Sequence, residues 1–463
     1  MCLTWVLPVF LCVALSSGIA VPKGVSIASA VRKVDLSSQL VKISTDFVVQ
    51  NNGDSELTSF IYAVPKTEAE HVAYVSATQG KNGNGRLKVN PAGAVDGASS
   101  EYSYYKIDLS KAVAAKGSGE LTVTHVSTNF LTPHPAEIVQ KENQFVLYNG
   151  DAHIGSVYDI AKETTTCQLA GTKVLSFTEA APSKHSGDRI TYGPYNNQKA
   201  FASAPITIHY ENNAPFIVAV SLERTIEVSH WGNIAVEEKI ELLHKGAILS
   251  GPFSRLDFQL DRRGLNQPVV KGYKTVLPNG ARDIYYRDLI GNISTSNVRE
   301  LGSSVEVELR PRFPLFGGWK TNYVLGYNLP TDEFLTASGD EFQLRMKAFD
   351  PIFSNAVIEH ATIKVILPEG ASNIKLVTPY SVKRAADSLH FTYLDISGRP
   401  VITFEKENVV EKHAQTFALK YQFSRLSILR EPFIVVSAFF VLFFSVVIYS
   451  RLDFSLSSER RQE

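Results

Sequence analysis

The feature that most narrows what this chain can fold into is one uncharged run near its C-terminal end. Pro432 to Ser450 reads PFIVVSAFFVLFFSVVIYS, 19 residues bracketed by Arg430-Glu431 and Arg451. Backbone surrounded by hydrocarbon has to satisfy its own polar groups, which a lone segment does only as a helix. At about 1.5 Å per residue the run reaches roughly 28 Å, close to the ~30 Å apolar thickness of a bilayer. It predicts a transmembrane helix over 432–450.

A shorter apolar stretch opens the chain. Met1 to Ala20 carries no charge, and Gly18 and Ala20 suit the small-residue positions of a signal-peptide cleavage site. Its apolar core is about half of the ~20 residues a span needs. The expectation is a removable leader over 1–20, then 21–431 translocated to the lumenal or extracellular side. The helix at 432–450 stops transfer and leaves 451–463 in the cytosol as a short tail, a type I topology. Two of the three cysteines, Cys2 and Cys12, fall in the leader. Cys167 then stands alone, so the translocated part has to be held by its apolar core without a disulfide.

That part reads as β structure. Val41–Val49, Ile234–Leu242 and Val305–Leu309 alternate apolar and polar residues, which places one strand face in a core and the other in water. Asn51-Asn52-Gly53-Asp54, Pro278-Asn279-Gly280, Pro368-Glu369-Gly370 and Ser397-Gly398-Arg399-Pro400 separate such runs as turns. Thr78 to Ser100, rich in glycine, reads as a mobile excursion between strands. The fold class expected is mainly β, with two tandem sandwich-like lumenal domains followed by one transmembrane α-helix.

An internal echo places the seam. Val34-Asp35-Leu36-Ser37 resembles Ile226-Glu227-Val228-Ser229; both follow basic residues and lead into an alternating strand that ends near Gly53 and Gly246. Further on, Phe145–Tyr148 parallels Phe342–Arg345, and Ile206–Tyr210 parallels Phe417–Tyr421. The order predicts two related β-rich domains, 21–214 and 215–431, parted at Asn212-Asn213-Ala214-Pro215.

The sequence offers little chemistry. With 46 Lys+Arg against 46 Asp+Glu, it lacks the cationic excess of a nucleic-acid binder, so no nucleic-acid partner is expected. Its 44% hydrophobic content is too high for a disordered chain. Eleven histidines stand singly without metal-ligand spacing; His209 and His390 read as strand side chains. There is no Gly-x-Ser-x-Gly elbow. Gly83-Asn84-Gly85-Arg86 and Gly317-Gly318-Trp319-Lys320 lack the spacing of a phosphate loop. Cys167 reads as a half-buried strand residue. Glu237-Glu238 and Asp283/Asp288 read as surface charge. No catalytic, cofactor-binding or metal residue is expected, and no cofactor. Asn292-Ile293-Ser294 is the one Asn-x-Ser/Thr tripeptide in the chain. On the lumenal side it makes Asn292 the expected N-glycan acceptor.

Several longer strings carry a resemblance. RTIEVSHWGNIAVEE (224–238), GPFSRLDFQ (251–259), YYRDLIGNISTS (285–296), RPRFPLFGGWKTNYVLGYNLP (310–330), HFTYLDISGRPVI (390–402) and YSRLDFS (449–455) closely resemble the ribophorin I family. Its members are type I membrane subunits of the endoplasmic-reticulum oligosaccharyltransferase. The resemblance is strong over about 205–455 and looser over 21–204, where YENNAPF (210–216) carries it.

The resemblance implies a non-catalytic subunit of the complex that moves a preassembled glycan from dolichyl diphosphate to Asn of Asn-X-Ser/Thr in nascent proteins. In that family the metal and the Trp-Trp-Asp signature belong to a different, multi-span subunit. Here Trp5, Trp231 and Trp319 are each isolated. The partners implied are the other subunits, including the catalytic one, together with nascent polypeptide and membrane lipid. Animal members carry a long charged tail after the span, whereas this chain stops at Glu463, so the resemblance does not carry over a ribosome-docking role that depends on that tail. The lumenal domains would scaffold the complex and guide acceptor chains. Ser437, Ser445 and Tyr449 would pack against partner helices, while Phe433, Phe439, Phe440, Phe443 and Phe444 face lipid. Phe313, Phe316 and Trp319 read as core first and as peptide or subunit contacts second. The rival from another class is a stand-alone lumenal receptor for polypeptide or glycan; an enzyme is the third reading.

Overall fold

The computed structural model describes residues 19–80, 85–93, 95–260, 267–392 and 394–452. Most of the expected leader, residues 81–84 of the glycine-rich run Gly80–Gly85, and the tail from 453 lie outside the described residues. The fold is mostly strand, 55%, with 10% helix, about half of that helix being the apolar segment at the C-terminal end. Two compact units are present: 1–218 with 243–270 and 314–320, and 219–242 with 271–313 and 321–463.

The first unit is built on a seven-stranded sheet whose central strands form the hairpin Val25–Leu36 and Val41–Asn51. Ile160–Leu169 runs parallel to the first of these, and Ser118–Ser127 antiparallel to the second. Along Val41–Asn51 the odd-numbered residues Ile43, Thr45, Phe47 and Val49 are all buried, so a single face carries the core. On Val25–Leu36 the same face changes parity, from Ile27 to Ala30 and Val34. A register shift between Ile27 and Ser29 absorbs one residue.

That face is covered by two smaller sheets. A three-stranded sheet (Leu57–Pro65, Tyr102–Val113, Lys88–Ala92) contributes Phe60, Ile61 and Ile107 to a cluster with Ile27, Phe47 and Val123. A four-stranded sheet containing Phe145–Asp151 and Pro205–Glu211 contributes Val146, Tyr148, Ile208 and Tyr210 to a second cluster with Val34, Ile43 and Ile190. The 78–100 segment is therefore more than an excursion: Leu87 and Val95 are buried, and Lys88–Ala92 pairs with Tyr102–Val113. Two apolar anchors outweigh the glycines around them.

Between the two clusters lies a buried polar row on neighbouring strands. Thr165 stands opposite Arg32, and Arg32 opposite Thr45. Arg32 donates through Nε to Thr165 Oγ1 at 3.1 Å and through its terminal nitrogen to the Asp151 carbonyl. Nearby, His125 bridges the Tyr62 hydroxyl and the Glu68 carboxylate, each at 2.8 Å.

The second unit repeats the plan. An eight-stranded sheet is centred on the hairpin Ile217–Ser229 and Asn233–His244, with Lys320–Pro330 beside one strand and Val357–Ile366 beside the other. A three-stranded sheet (Tyr273–Pro278, Ser304–Leu309, Asn297–Glu300) and a four-stranded one accompany it. The four-stranded sheet pairs Glu341–Lys347 with Thr416–Gln422, Phe342 opposite Tyr421. In the first unit Phe145–Asp151 pairs likewise with Pro205–Glu211, Val146 opposite Tyr210. Each echoed strand thus pairs, within its own unit, with the counterpart of the strand that its echo pairs with in the other.

The correspondence reaches a buried charge. Arg224 holds the place in its hairpin that Arg32 holds in the first, two residues before the echoed Ile226 and Val34. Arg224 is fully buried and donates to Glu238 at 2.5 Å, Asp350 at 2.7 Å and the Tyr327 hydroxyl at 3.0 Å. Glu238 is therefore not surface charge as its sequence neighbourhood implied; alternation turns Glu237 outward and Glu238 into the core. Burial pushes the Glu238 carboxyl up to about 7, against the pull of Arg224.

Desolvating an ion costs several kcal/mol, more than the ~1.5–3 kcal/mol gained by burying one large apolar side chain, so these partners are obligatory. Arg224→Met is expected to remove about 3–5 kcal/mol of stability by stranding two carboxylates. Combining it with Glu238→Gln and Asp350→Asn restores most of the loss, read from denaturant midpoints of the detergent-solubilised chain. Because Glu238 titrates higher folded than unfolded, its contribution is complete below about pH 4.3 and is lost as pH rises through about 7. Glu238→Gln should flatten the midpoint across that window.

Candidate functional site

The Asn292 tripeptide lies just past a tight turn. Strand Arg282–Arg287 pairs with Lys320–Pro330, then reverses through Asp288-Leu289-Ile290-Gly291 so that Arg287 bridges Asn292. Asp288 Oδ1 accepts from the backbone N–H of Ile290 at 2.9 Å and of Gly291 at 3.1 Å. Gly291, at φ +144°, supplies a conformation that a side chain would strain. Arg312 locks the turn from outside. It forks onto Asp288 at 2.5 and 3.0 Å, and its terminal nitrogen also reaches the Gly291 and Asn292 carbonyls, both at 3.2 Å. The Arg312 hydrogen bond holds the Asp288 carboxyl at about 2, below the usual carboxylate range.

Alternation then decides accessibility. Ile293 is buried, while Asn292 and Ser294 are both exposed, which leaves the amide and the hydroxyl of the tripeptide open to solvent. The turn also exposes Leu289 and Ile290, 89% and 83% accessible.

The second candidate region is the anchor. Thr416–Gln422 leads through Phe423 into a 3-10 turn, Arg425–Leu429, and straight into the helix Arg430–Arg451. Its 22 residues span about 33 Å, enough to cross a bilayer, and none of them is buried by the protein. Ser445 gives its hydroxyl to the Val441 carbonyl at 2.7 Å, so that side chain is satisfied within its own helix.

The helix start is pinned to the sheet by a charge network. Arg399 contacts Glu227 at 2.7 Å, Asp395 at 3.2 Å and Glu431 at 3.2 Å, tying a core strand, a loop and the first helical turn together. Arg430 reaches Glu369 at 3.5 Å and the Ser397 hydroxyl at 3.3 Å. Glu369 in turn accepts from the Ile396 N–H at 2.9 Å and from the N–H of Ser397. Burial alone would raise the Asp395 carboxyl; Thr392 and Arg399 hold it below its ordinary range. Glu431 in the first turn also suits the positive end of the helix dipole. Gly370, at φ +91°, closes the Pro368-Glu369-Gly370 turn that presents Glu369.

The remaining candidates scatter. Phe316 is buried and packs on Phe253, Phe258 and Trp319 at centroid distances of 5.5–5.8 Å, the place of a core residue. Phe313 is exposed. A Cβ on Gly317 would meet the Ala247 carbonyl at 1.8 Å, so this glycine serves close backbone packing. Cys167 is fully buried, not half-buried, and burial pushes its thiol up to about 12, which suppresses nucleophilicity. Among the described residues no group of three or more His, Cys, Asp or Glu is placed to hold a metal ion. Sequence reasoning missed the Arg224 cluster and the Arg399 hub. The equal spacing of Arg32 and Arg224 from the echoed hairpins was the available signal for the first. The second joins residues up to 172 apart and left none.

Comparison with known proteins gives one consistent result. The sequence profile of the family described as Ribophorin I matches residues 25–450. The chain is 46% identical over 434 residues to dolichyl-diphosphooligosaccharide–protein glycosyltransferase subunit 1 of Caenorhabditis elegans, covering 93% of this chain and 73% of that one. Subunit 1A of Arabidopsis thaliana is 37% identical over 92% of this chain and 70% of its own length. Subunit 1B of the same plant is 36% identical over 97% of both.

The clamp on the Asn292 turn makes a direct expectation. Arg312→Ala should speed amide hydrogen exchange across 288–293 while leaving the global unfolding midpoint nearly unchanged, as an exposed ion pair contributes little to overall stability. Exchange read by mass spectrometry checks it. The pair persists down to about pH 2, where Asp288 protonates.

Proposed function

The chain belongs to the ribophorin I family, and on that premise we propose that it works as an accessory subunit of the oligosaccharyltransferase in the endoplasmic-reticulum membrane. The observation that carries this reading is the family match across 25–450, which takes in both β units and most of the membrane helix. Its relatives are named as subunit 1 of that transferase, so other subunits of the complex are its partners.

The finer reading is a lumenal scaffold that makes and breaks no bond itself. Residues 21–431 face the lumen as two related β-rich domains, 432–450 crosses the bilayer, and 451–463 remains in the cytosol. A buried cysteine and carboxylates consumed in structural ion pairs support a non-catalytic part. The lumenal domains hold acceptor polypeptide near the catalytic subunit, raising its effective concentration there. Asn292 carries a glycan of its own; its exposure together with Ser294 on a rigid turn favours it as an acceptor.

Two measurements test these readings. Purification in mild detergent is expected to recover the chain with multi-span partners and transferase activity; migration alone would remove the subunit reading. Asn292→Gln is expected to shift electrophoretic mass down by one glycan and to abolish sensitivity to endoglycosidase. An unchanged mass before and after treatment would remove the glycan.

A further inference from the structure

The helix start is surrounded by apolar side chains that the protein leaves uncovered. Trp231 at the tip of the Ile217–Ser229/Asn233–His244 hairpin is 65% accessible, Ile396 in the loop before Arg399 is 70% accessible, and Leu426 in the 3-10 turn is 79% accessible. Phe391, Leu394 and Leu429 are exposed with them. Large apolar side chains clustered in this way on a soluble surface mark an interaction site.

Their position identifies the occupant. Trp231 shares a cleft of about 100 Å³ with Arg430 and Glu431, the first two residues of the membrane helix. Ile396 is joined to the same residues through Glu369, which accepts its N–H and also pairs with Arg430. Leu426 and Leu429 lie within one turn of the helix by sequence. The Arg399 network prevents the loop and the helix from separating freely, because Asp395 and Glu431 bind one guanidinium. Gly398 closes the loop with φ +81°, where a Cβ would strike the Phe391 ring at 2.8 Å, so Phe391 packs across that turn.

A charged pair at the end of an apolar span lies at the level of the lipid headgroups. Side chains tied to that pair are at the same level. Tryptophan and large aliphatic residues at that depth bury their apolar bodies in the boundary between headgroups and acyl chains. We infer that the hairpin tip at Trp231, the side chains of Phe391, Leu394 and Ile396, and the turn 425–429 form a second membrane contact. They insert shallowly into the leaflet around the helix start, so the second unit is seated on the bilayer instead of hanging from one flexible stalk. The inference rests on the reading of 432–450 as a span.

Site-specific photocrosslinking tests it in the full chain within its native membranes. A benzophenone amino acid is placed at 231, 394, 396 or 426, with 440 and 443 as reporters of the span and 289 as an exposed apolar control away from the helix start. The expected result is a mass increase of one phospholipid at 231, 394, 396 and 426, as at 440 and 443, and none at 289. Lipid capture at 440 and 443 alone overturns the shallow insertion and leaves the anchor intact. Capture at none of these positions overturns both. Adducts to a second polypeptide at 394 and 396 without lipid show a partner subunit on the patch, and likewise overturn it.

Discussion

A buried arginine stands at the same point of the central hairpin in both β units, and much of each architecture is arranged around that charge. Arg32 and Arg224 lie where one sheet face would otherwise be continuously apolar. Leaving a guanidinium there without partners would cost more than several apolar contacts return. Each unit therefore brings a neighbouring strand and the end of another strand, or the segment just past it, to the arginine: Thr165 and the Asp151 carbonyl in one, Glu238 and Asp350 in the other. The two solutions differ in charge. Neutral acceptors serve Arg32 directly, whereas Arg224 is matched by two carboxylates and the Tyr327 hydroxyl, leaving Glu238 poised near neutrality.

This requirement also explains how a β-rich unit with one buried cysteine holds a large sheet covered by two smaller ones. In the first unit, apolar clusters sit on either side of the polar row, one under the three-stranded sheet and one under the four-stranded sheet. Hydrogen bonds from the row fix which strand stands opposite which, and hydrophobic burial supplies most of the driving force. A one-residue slip would turn Arg32 or Glu238 to the wrong face and expose the apolar positions beside it. Buried charge here gives the sheets a register at the expense of some stability.

The same economy appears at the membrane. One guanidinium, Arg399, gathers carboxylates from strand, loop and helix, so the start of the anchor is continuous with the core of the second unit. The hub leaves little conformational freedom where strand, loop and helix meet. The Asn292 turn is stiffened by a comparable device, Arg312, outside the core.

What the sequence determined by itself was whatever depends on local pattern. Alternation set the strand faces, an uncharged run long enough for a bilayer set the anchor, and the echoes marked corresponding strands, because residues of like spacing answer to one chain geometry. The Asn292-Ile293-Ser294 tripeptide is likewise a local pattern, to which the fold adds only the exposure of Asn292 and Ser294. Tertiary structure alone decided what depends on distant partners. Glu238 read as surface charge until Arg224 and Asp350 closed over it, and the 78–100 segment read as a loop until Leu87 and Val95 found a core. The Arg399 hub draws together Glu227, Asp395 and Glu431, and no rule of sequence spacing links them. Electrostatic and packing energies act through space, so a residue's role waits on neighbours that only the fold supplies.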